Sequence, residues 1–176
     1  MSVSVTTISC DDICRLPSCS PGCRYCLYWK QPNHTLVPTD PGEREALKRA
    51  WLRGDYHEVG TCAKLALADS RTAGFAHFGY PRLFPTAKTY TCGSPDESAL
   101  FVACLFVFEP HVGNGIGTFL LKDICDGARS QGFSAVESFA RKRSAENPSG
   151  PLLFWLKNGF SIVSEDDDFA LVRKSM

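Results

Sequence analysis

Apolar and polar positions along this chain switch between a period of about two and one of about 3.6, and the switches mark out its elements. From Leu100 to Phe108 the run LFVACLFVF has no polar break, which predicts a central strand covered on both faces. From Gly115 to Gln131, residues Ile116, Phe119, Leu120, Ile124, Cys125 and Ala128 recur at helical spacing opposite Lys122, Asp123, Asp126 and Arg129, an amphipathic helix. Pro41 to Arg53 is rich in helix formers and predicts a helix with Ala46, Leu47, Ala50 and Trp51 on its apolar face. Thr61 to Ala68 and Thr72 to Gly79 read as antiparallel strands joined by the polar turn Asp69-Ser70-Arg71.

Phe133 to Ala140 reads as another strand, and Pro151 then opens a short helix closed by Lys157 and Gly159. Strands around Phe160 to Val163 and Phe169 to Arg173 follow, separated by Glu165-Asp166-Asp167-Asp168, read as a solvated turn. Residues 1–38 have no sustained period and many Cys, Pro and Ser, so they read as an arm or lid with one short strand at Tyr25 to Trp29. Residues 39–176 read as the folded domain. Between them in character is the Pro/Gly-rich stretch 80–97, where Tyr80, Phe84 and Tyr90 either line a cleft or anchor the loop.

Composition narrows the function classes. A length of 176 residues suits one ordinary core, and nineteen basic residues balance nineteen acidic ones. No bulk cationic field is present to collect nucleic acid or an anionic membrane, so neither partner is expected. The first twenty residues lack a signal-peptide pattern and no segment has the length of a bilayer span, which leads us to expect a cytoplasmic protein, monomeric or homodimeric. Nine cysteines make an odd set, and Cys104 and Cys125 fall inside apolar patterns, where a thiol acts as a small hydrophobe rather than a disulfide partner.

Gly113-Asn114-Gly115-Ile116-Gly117 joins the apolar strand to the amphipathic helix. Such a junction suits an anion, because the first N–H groups of a helix lack intrahelical partners and sit at its positive end. The spacing is not that of a P-loop, since no lysine precedes Thr118. Nor is it a dinucleotide fingerprint, since Gly113, Gly115 and Gly117 alternate and Phe119-Leu120 follow.

Pro110 to Leu121 resembles the acetyl-CoA loop of the GNAT acyltransferase superfamily, R/Q-x-x-G-x-G/A ahead of a Leu-Leu helix, with Val112 at the R/Q position. Phe154-Trp155-Leu156-Lys157-Asn158-Gly159-Phe160 resembles that family's F-Y-x-K-x-G-F segment, and the order of elements from Gly60 to Arg173 is also similar. The resemblance implies an α+β fold: a mixed, mostly antiparallel sheet with a central parallel strand pair that splays for CoA, flanked by helices. It implies acetyl-CoA as co-substrate and a small-molecule or peptide amine as acceptor, with transfer by direct attack of the amine. The cofactor arm would lie along Leu105, Phe106 and Val107, and the pyrophosphate would meet Gly113, Asn114, Gly115, Ile116, Gly117 and Thr118. The resemblance also implies a cofactor contact at Asn147, which lies one residue from the spacing at which an asparagine often holds the cofactor in relatives.

The residue that aligns with the family's central-strand glutamate is Phe101, which leaves Glu137 as the candidate general base or else a buried structural carboxylate. Glu109 and His111 at the loop rim are further options. Trp155 stands where many relatives have a tyrosine acid, and indole does not supply that proton, so it reads as core or as packing against the cofactor's sulfur end. Cys19, Cys23 and Cys26 have an iron–sulfur-like spacing, with Cys10 and Cys14 nearby, but a barrel of the kind that uses it does not fit this length. Packed or redox-active thiols are the favoured reading over a zinc site, and no metal is assigned. An acyl-CoA sensor, or a redox- or metal-responsive module with little turnover on the same fold, is the alternative to an enzyme.

Overall fold

The computed structural model describes residues 2–16, 23–32, 37–143 and 150–176. Seven strands form one sheet: β1 (Val3–Thr7), β2 (Ala63–Ala68), β3 (Arg71–Gly79), β4 (Leu100–Val107), β5 (Ala135–Arg141), β6 (Ser161–Glu165) and β7 (Phe169–Ser175). Their spatial order is β1-β2-β3-β4-β5-β7-β6, and every neighbouring pair is antiparallel except β4 and β5. Helix α1 (Pro41–Val59) precedes β2, α2 (Ile116–Ser130) connects β4 to β5, and α3 (Leu152–Lys157) precedes β6. This is the α+β arrangement that the family resemblance implies.

Alternation along the strands divides the core into two layers. Val102, Leu105 and Val136 face one side, where they pack with Ile116, Leu120 and Ile124 of α2 and with Trp155. Phe75, Phe101 and Phe139 face the other, with Leu52 of α1, Ile13 and Trp29. Trp155 is fully buried, edge-on to Phe160 with ring centroids 4.8 Å apart, which is the core role.

The sequence reading of the N-terminal segment needs correction. Its strand is β1, paired along its whole length with β2, whereas Tyr25 to Trp29 has no strand and lies in turns. Val3–Thr7 escapes notice because its alternation is weak: an edge strand with both faces partly wet selects small β-branched and hydroxyl side chains. Ile8, Ile13, Leu16, Leu27 and Trp29 are all buried.

Helix α1 also departs from expectation, extending to Val59 and burying a different face. Ala46 and Ala50 are exposed and Leu47 and Trp51 half-buried, while Lys48, Leu52, Asp55 and Val59 point inward. The reason is that Asp55 has partners inside: Lys30 Nζ donates to it at 2.5 Å and His77 Nε2 lies 2.9 Å away. Buried charge is tolerated where it is paired and hydrogen-bonded. Six of the described cysteines are buried and all are unbonded thiols. No described helix is long and apolar enough to cross a membrane.

Candidate active site

The parallel pair β4 and β5 touches only at its beginning. Leu100 faces Val136 and Phe101 faces Glu137, after which no further pair joins the two strands. Just above that apex Ser138 Oγ donates to the Val102 carbonyl at 2.8 Å, and both residues are fully buried. The upper half of β4 remains paired with β3 on one side, through Leu105 to Ala76, Phe106 to Phe75 and Val107 to Gly74. Its other edge carries open backbone donors and acceptors, the kind that take an extended ligand as an added strand.

Beyond β4 the chain turns back, with the His111 N–H donating to the Phe108 carbonyl at 2.8 Å and the Asn114 N–H to the His111 carbonyl at 3.3 Å. Gly113 and Gly115 have φ of 83° and 78°, a left-handed conformation that side chains resist, and this is why the turn needs glycine. Gly115 is the N-cap of α2, and no side chain caps that helix, so its first N–H groups face outward without a competing acceptor. Gly117 serves a different purpose. A methyl there would stand 3.3 Å from the Phe154 ring and 3.4 Å from Val107, so its absence lets α2 seat closely against β4 and α3.

These features border one groove of about 570 Å³. Leu105, Phe106 and Val107 form its strand half, and Gly113, Gly115, Ile116, Gly117 and Thr118 its loop half, with Gly150, Pro151 and Phe154 opposite. Asn114 does not line it, since its N–H is turned to His111. Asn147 lies outside the described residues. An apolar slot ending in unsatisfied N–H groups fits a long, weakly polar arm that ends in a pyrophosphate, as CoA does.

Glu137 sits elsewhere, at the closed apex. It is 1% exposed, accepts from Arg173 Nη1 at 2.8 Å and from the Asp96 N–H at 2.8 Å, and does not border the groove. The titratable groups that do border it, Glu109 and His111, belong to the loop half.

A second cavity, of about 420 Å³, opens near the far end of β5 and is lined by Tyr28, Tyr90, Asp166, Asp167, Asp168 and Phe169, together with Thr89 and Thr91. Tyr90 stacks on Phe139 of β5 with centroids 4.1 Å apart and an interplanar angle of 3°, and Phe84 is fully buried, so both aromatic residues anchor the loop while Tyr90 also forms a wall. Sequence reasoning missed this cavity because its residues come from three distant segments. It also missed the buried pair of His77 and Asp55, whose only sequence signal is a lone histidine inside the apolar strand FAHFG.

A splayed parallel pair with a glycine-turned, uncapped helix at its open end defines a fold built around an acyl-CoA groove. The sequence matches the acetyltransferase (GNAT) family over residues 25–160, and the chain belongs to that family. Among solved structures it is similar to the PaiA N-acetyltransferase of Thermoplasma acidophilum in complex with coenzyme A, with TM-score 0.63, 17% identity and full coverage of both chains. It is likewise similar to Arabidopsis thaliana Naa50 in complex with the bisubstrate analogue CoA-Ac-MVNAL, with TM-score 0.57, 17% identity and full coverage of both. YncA of Salmonella typhimurium with acetyl-CoA matches with TM-score 0.58 and 17% identity over 98% of this chain and 93% of that one. No curated protein sequence matches the chain.

Proposed function

We propose that this protein is a cytoplasmic N-acetyltransferase that moves an acetyl group from acetyl-CoA to a primary amine on a small molecule or peptide, by direct attack. The observation that carries this reading is the groove between β4 and the glycine loop, in which open strand edge and uncapped helix N–H groups form one continuous surface. Acetyl-CoA supplies a thioester carbonyl that a neutral amine can attack. The amine nitrogen bonds to the carbonyl carbon, the C–S bond breaks, and the thiolate takes a proton.

The chain's own residues align and polarise. Leu105, Phe106 and Val107 hold the cofactor arm through their backbone edge, and a β4 N–H donates to the carbonyl oxygen as it gains charge. Ile116, Gly117 and Thr118 hold the pyrophosphate through the first-turn N–H groups of α2. The strand half of the groove has no titratable lining residue, so the proton leaves the amine to solvent. Glu137 acts as a positioning residue that fixes the apex from which the strands diverge. The acceptor side is formed by Tyr28 of the N-terminal segment and by Thr89, Tyr90 and Thr91 of the 80–97 stretch, Tyr28 and Tyr90 being its walls.

A second reading, an acyl-CoA sensor with little turnover, is favoured by one observation: Trp155 occupies the place of the family's tyrosine acid and is wholly buried. Titrating the full chain calorimetrically with acetyl-CoA, alongside free-thiol release over a panel of amines, separates the two. Binding with amine-dependent thiol release supports the enzyme, binding without release supports the sensor, and absence of binding removes both.

A further inference from the structure

The last strand in the order of the sheet, β6, carries an unguarded edge. It pairs with β7 along one side, and among the described residues its other side is open. Open edges invite another strand, and proteins blunt them with lysine, proline or outward charge. Ser161-Ile162-Val163-Ser164 has none of these. Its one irregularity, the bulge between Ile162 and Ser164, leaves Val163 without a cross-strand partner and 54% exposed, so what it presents is apolar. The opposite edge, β1, shows Ser4 and Thr7 to solvent and no exposed large apolar side chain.

The patch is wider than the strand. Seven large apolar side chains are exposed among the described residues, and four of them, Leu153, Leu156, Ile162 and Val163, fall in this one stretch of α3 and β6. Leu153 and Leu156 stand one turn apart on α3. Trp155 takes the inward face of that helix and Phe154 lines the cofactor groove, which leaves the two leucines on the outward side. Ile162 lies opposite Val172, whose layer is the one that holds Trp155 of α3, so it faces the same side of the sheet. Exposed apolar surface gathered at one sheet edge marks an interaction surface.

Charge along the edge selects its occupant. Beside the start of β6, Lys157 is exposed and has no ion-pair partner among the described residues, and Lys174 Nζ donates to the Asn158 carbonyl at 2.9 Å. Beyond its end, Lys142 engages Glu165 at 2.9 Å, while Asp167 and Asp168 are exposed and unpaired among the described residues. Five residues at about 3.3 Å each set these ends roughly 17 Å apart, about two Debye lengths at physiological salt, so they act as separate poles. Two copies of this edge laid antiparallel bring each basic start against the other's acidic end, twice by symmetry, whereas parallel alignment brings like charges together. We infer that the protein is a homodimer in which β6 and α3 of one copy dock antiparallel on the same elements of a second copy about a two-fold axis. Leu153, Leu156, Ile162 and Val163 form the centre, and Lys157 faces the partner's Asp167 and Asp168. The contact needs neither cofactor nor turnover, so it is independent of the acetyltransferase reading.

Sedimentation velocity of the full chain over a dilution series tests this. The expected species has twice the mass of the chain and dissociates on dilution without forming larger assemblies, because an isologous contact closes on itself. Ile162→Lys and, independently, Leu153→Lys should weaken the dimer about tenfold or more while the far-UV circular dichroism stays that of the wild type. Lys157→Glu alone and Asp167→Lys/Asp168→Lys alone should each weaken it about tenfold, most at low salt. An equimolar mixture of these two charge variants should recover wild-type affinity, since both contacts are then again between opposite charges. A wild-type chain that is monomeric at every concentration, assemblies that grow beyond two copies, or a dimer that neither apolar variant weakens overturns the proposal. Charge variants that fail to associate when mixed overturn it as well, because the antiparallel order is then wrong.

Discussion

The hydroxyl of Ser138 and the carbonyl of Val102, 2.8 Å apart and out of contact with water, are the last direct link between β4 and β5 before the strands part. Ladder pairing ends one residue earlier, at Phe101 and Glu137, so this side-chain bond satisfies a carbonyl that the splay would otherwise orphan. Ser138→Ala leaves that acceptor buried and unpaired. The expected outcome is a loss of about 1–3 kcal/mol, read as a lower denaturant midpoint with an unchanged slope. An unchanged midpoint would mean that water reaches the apex.

Gly115 carries the geometry of the anion site. With φ of 78° and nothing within 4 Å of the place where a Cβ would sit, the obstacle to a side chain there is conformational rather than steric crowding. Gly115→Ala should cost about 1–2 kcal/mol in the left-handed region. If the loop relaxes to avoid that cost, the first-turn N–H groups swing away and acetyl-CoA affinity falls about tenfold, since 1.4 kcal/mol corresponds to one decade. Titration calorimetry reads this directly, and wild-type affinity in the variant would separate the loop from cofactor binding.

The difference between what the chain's pattern reveals and what it conceals has a physical origin. Gly113 to Gly117 is legible because a glycine turn and a helix start are local, fixed by residues within a few positions of one another. The apolar run at Leu100 to Phe108 is legible because burial on both faces leaves no polar gap. The inward face of α1 is not legible, because Lys48 and Asp55 read as solvent-facing until Lys30 and His77, from other segments, are seen to meet Asp55. The acidic cavity is hidden for the same reason: Asp166 reads as part of a wet turn, and only the fold brings Tyr28 and Tyr90 beside it.

Glu137 is held by Arg173 and by the Asp96 N–H, and Arg173 is shared with Asp96 at 3.1 Å. In Glu137→Gln one of the two acceptor oxygens becomes a donor, so either the guanidinium or the backbone N–H faces another donor. A loss on the order of 1–3 kcal/mol is expected from the unmet buried group. Turnover at saturating acetyl-CoA should stay within a factor of about two, because a residue that does not touch the groove supplies no proton transfer. A fall of about a hundredfold in kcat with an unchanged melting temperature would instead make Glu137 the base.

His77 gives the fold an acid-sensitive point. Burial, and next the nearby Lys48 charge, push its pKa from 6.5 down to about 4 despite the bond to Asp55, so the folded protein holds it neutral, with Nε2–H donating to Asp55 and Nδ1 without a partner among the described residues. Because the folded pKa lies below the unfolded one, the unfolded chain binds more protons between those values. Stability is therefore fully present above pH 6.5 and declines as pH falls toward 4, by on the order of 3 kcal/mol at 1.36 kcal/mol per unit. Below that range the histidine contributes no further slope, and the carboxyl of Asp55 takes over. Burial opposes its ionisation, but the His77 and Lys30 bonds hold it below its usual range, so its contribution is lost only at lower pH. Denaturant melts at steps from neutral to mildly acidic pH measure the slope, and His77→Gln should flatten it. A wild-type stability that stays level across this window, or a slope that survives in His77→Gln, would place the acid-sensitive group elsewhere in the core.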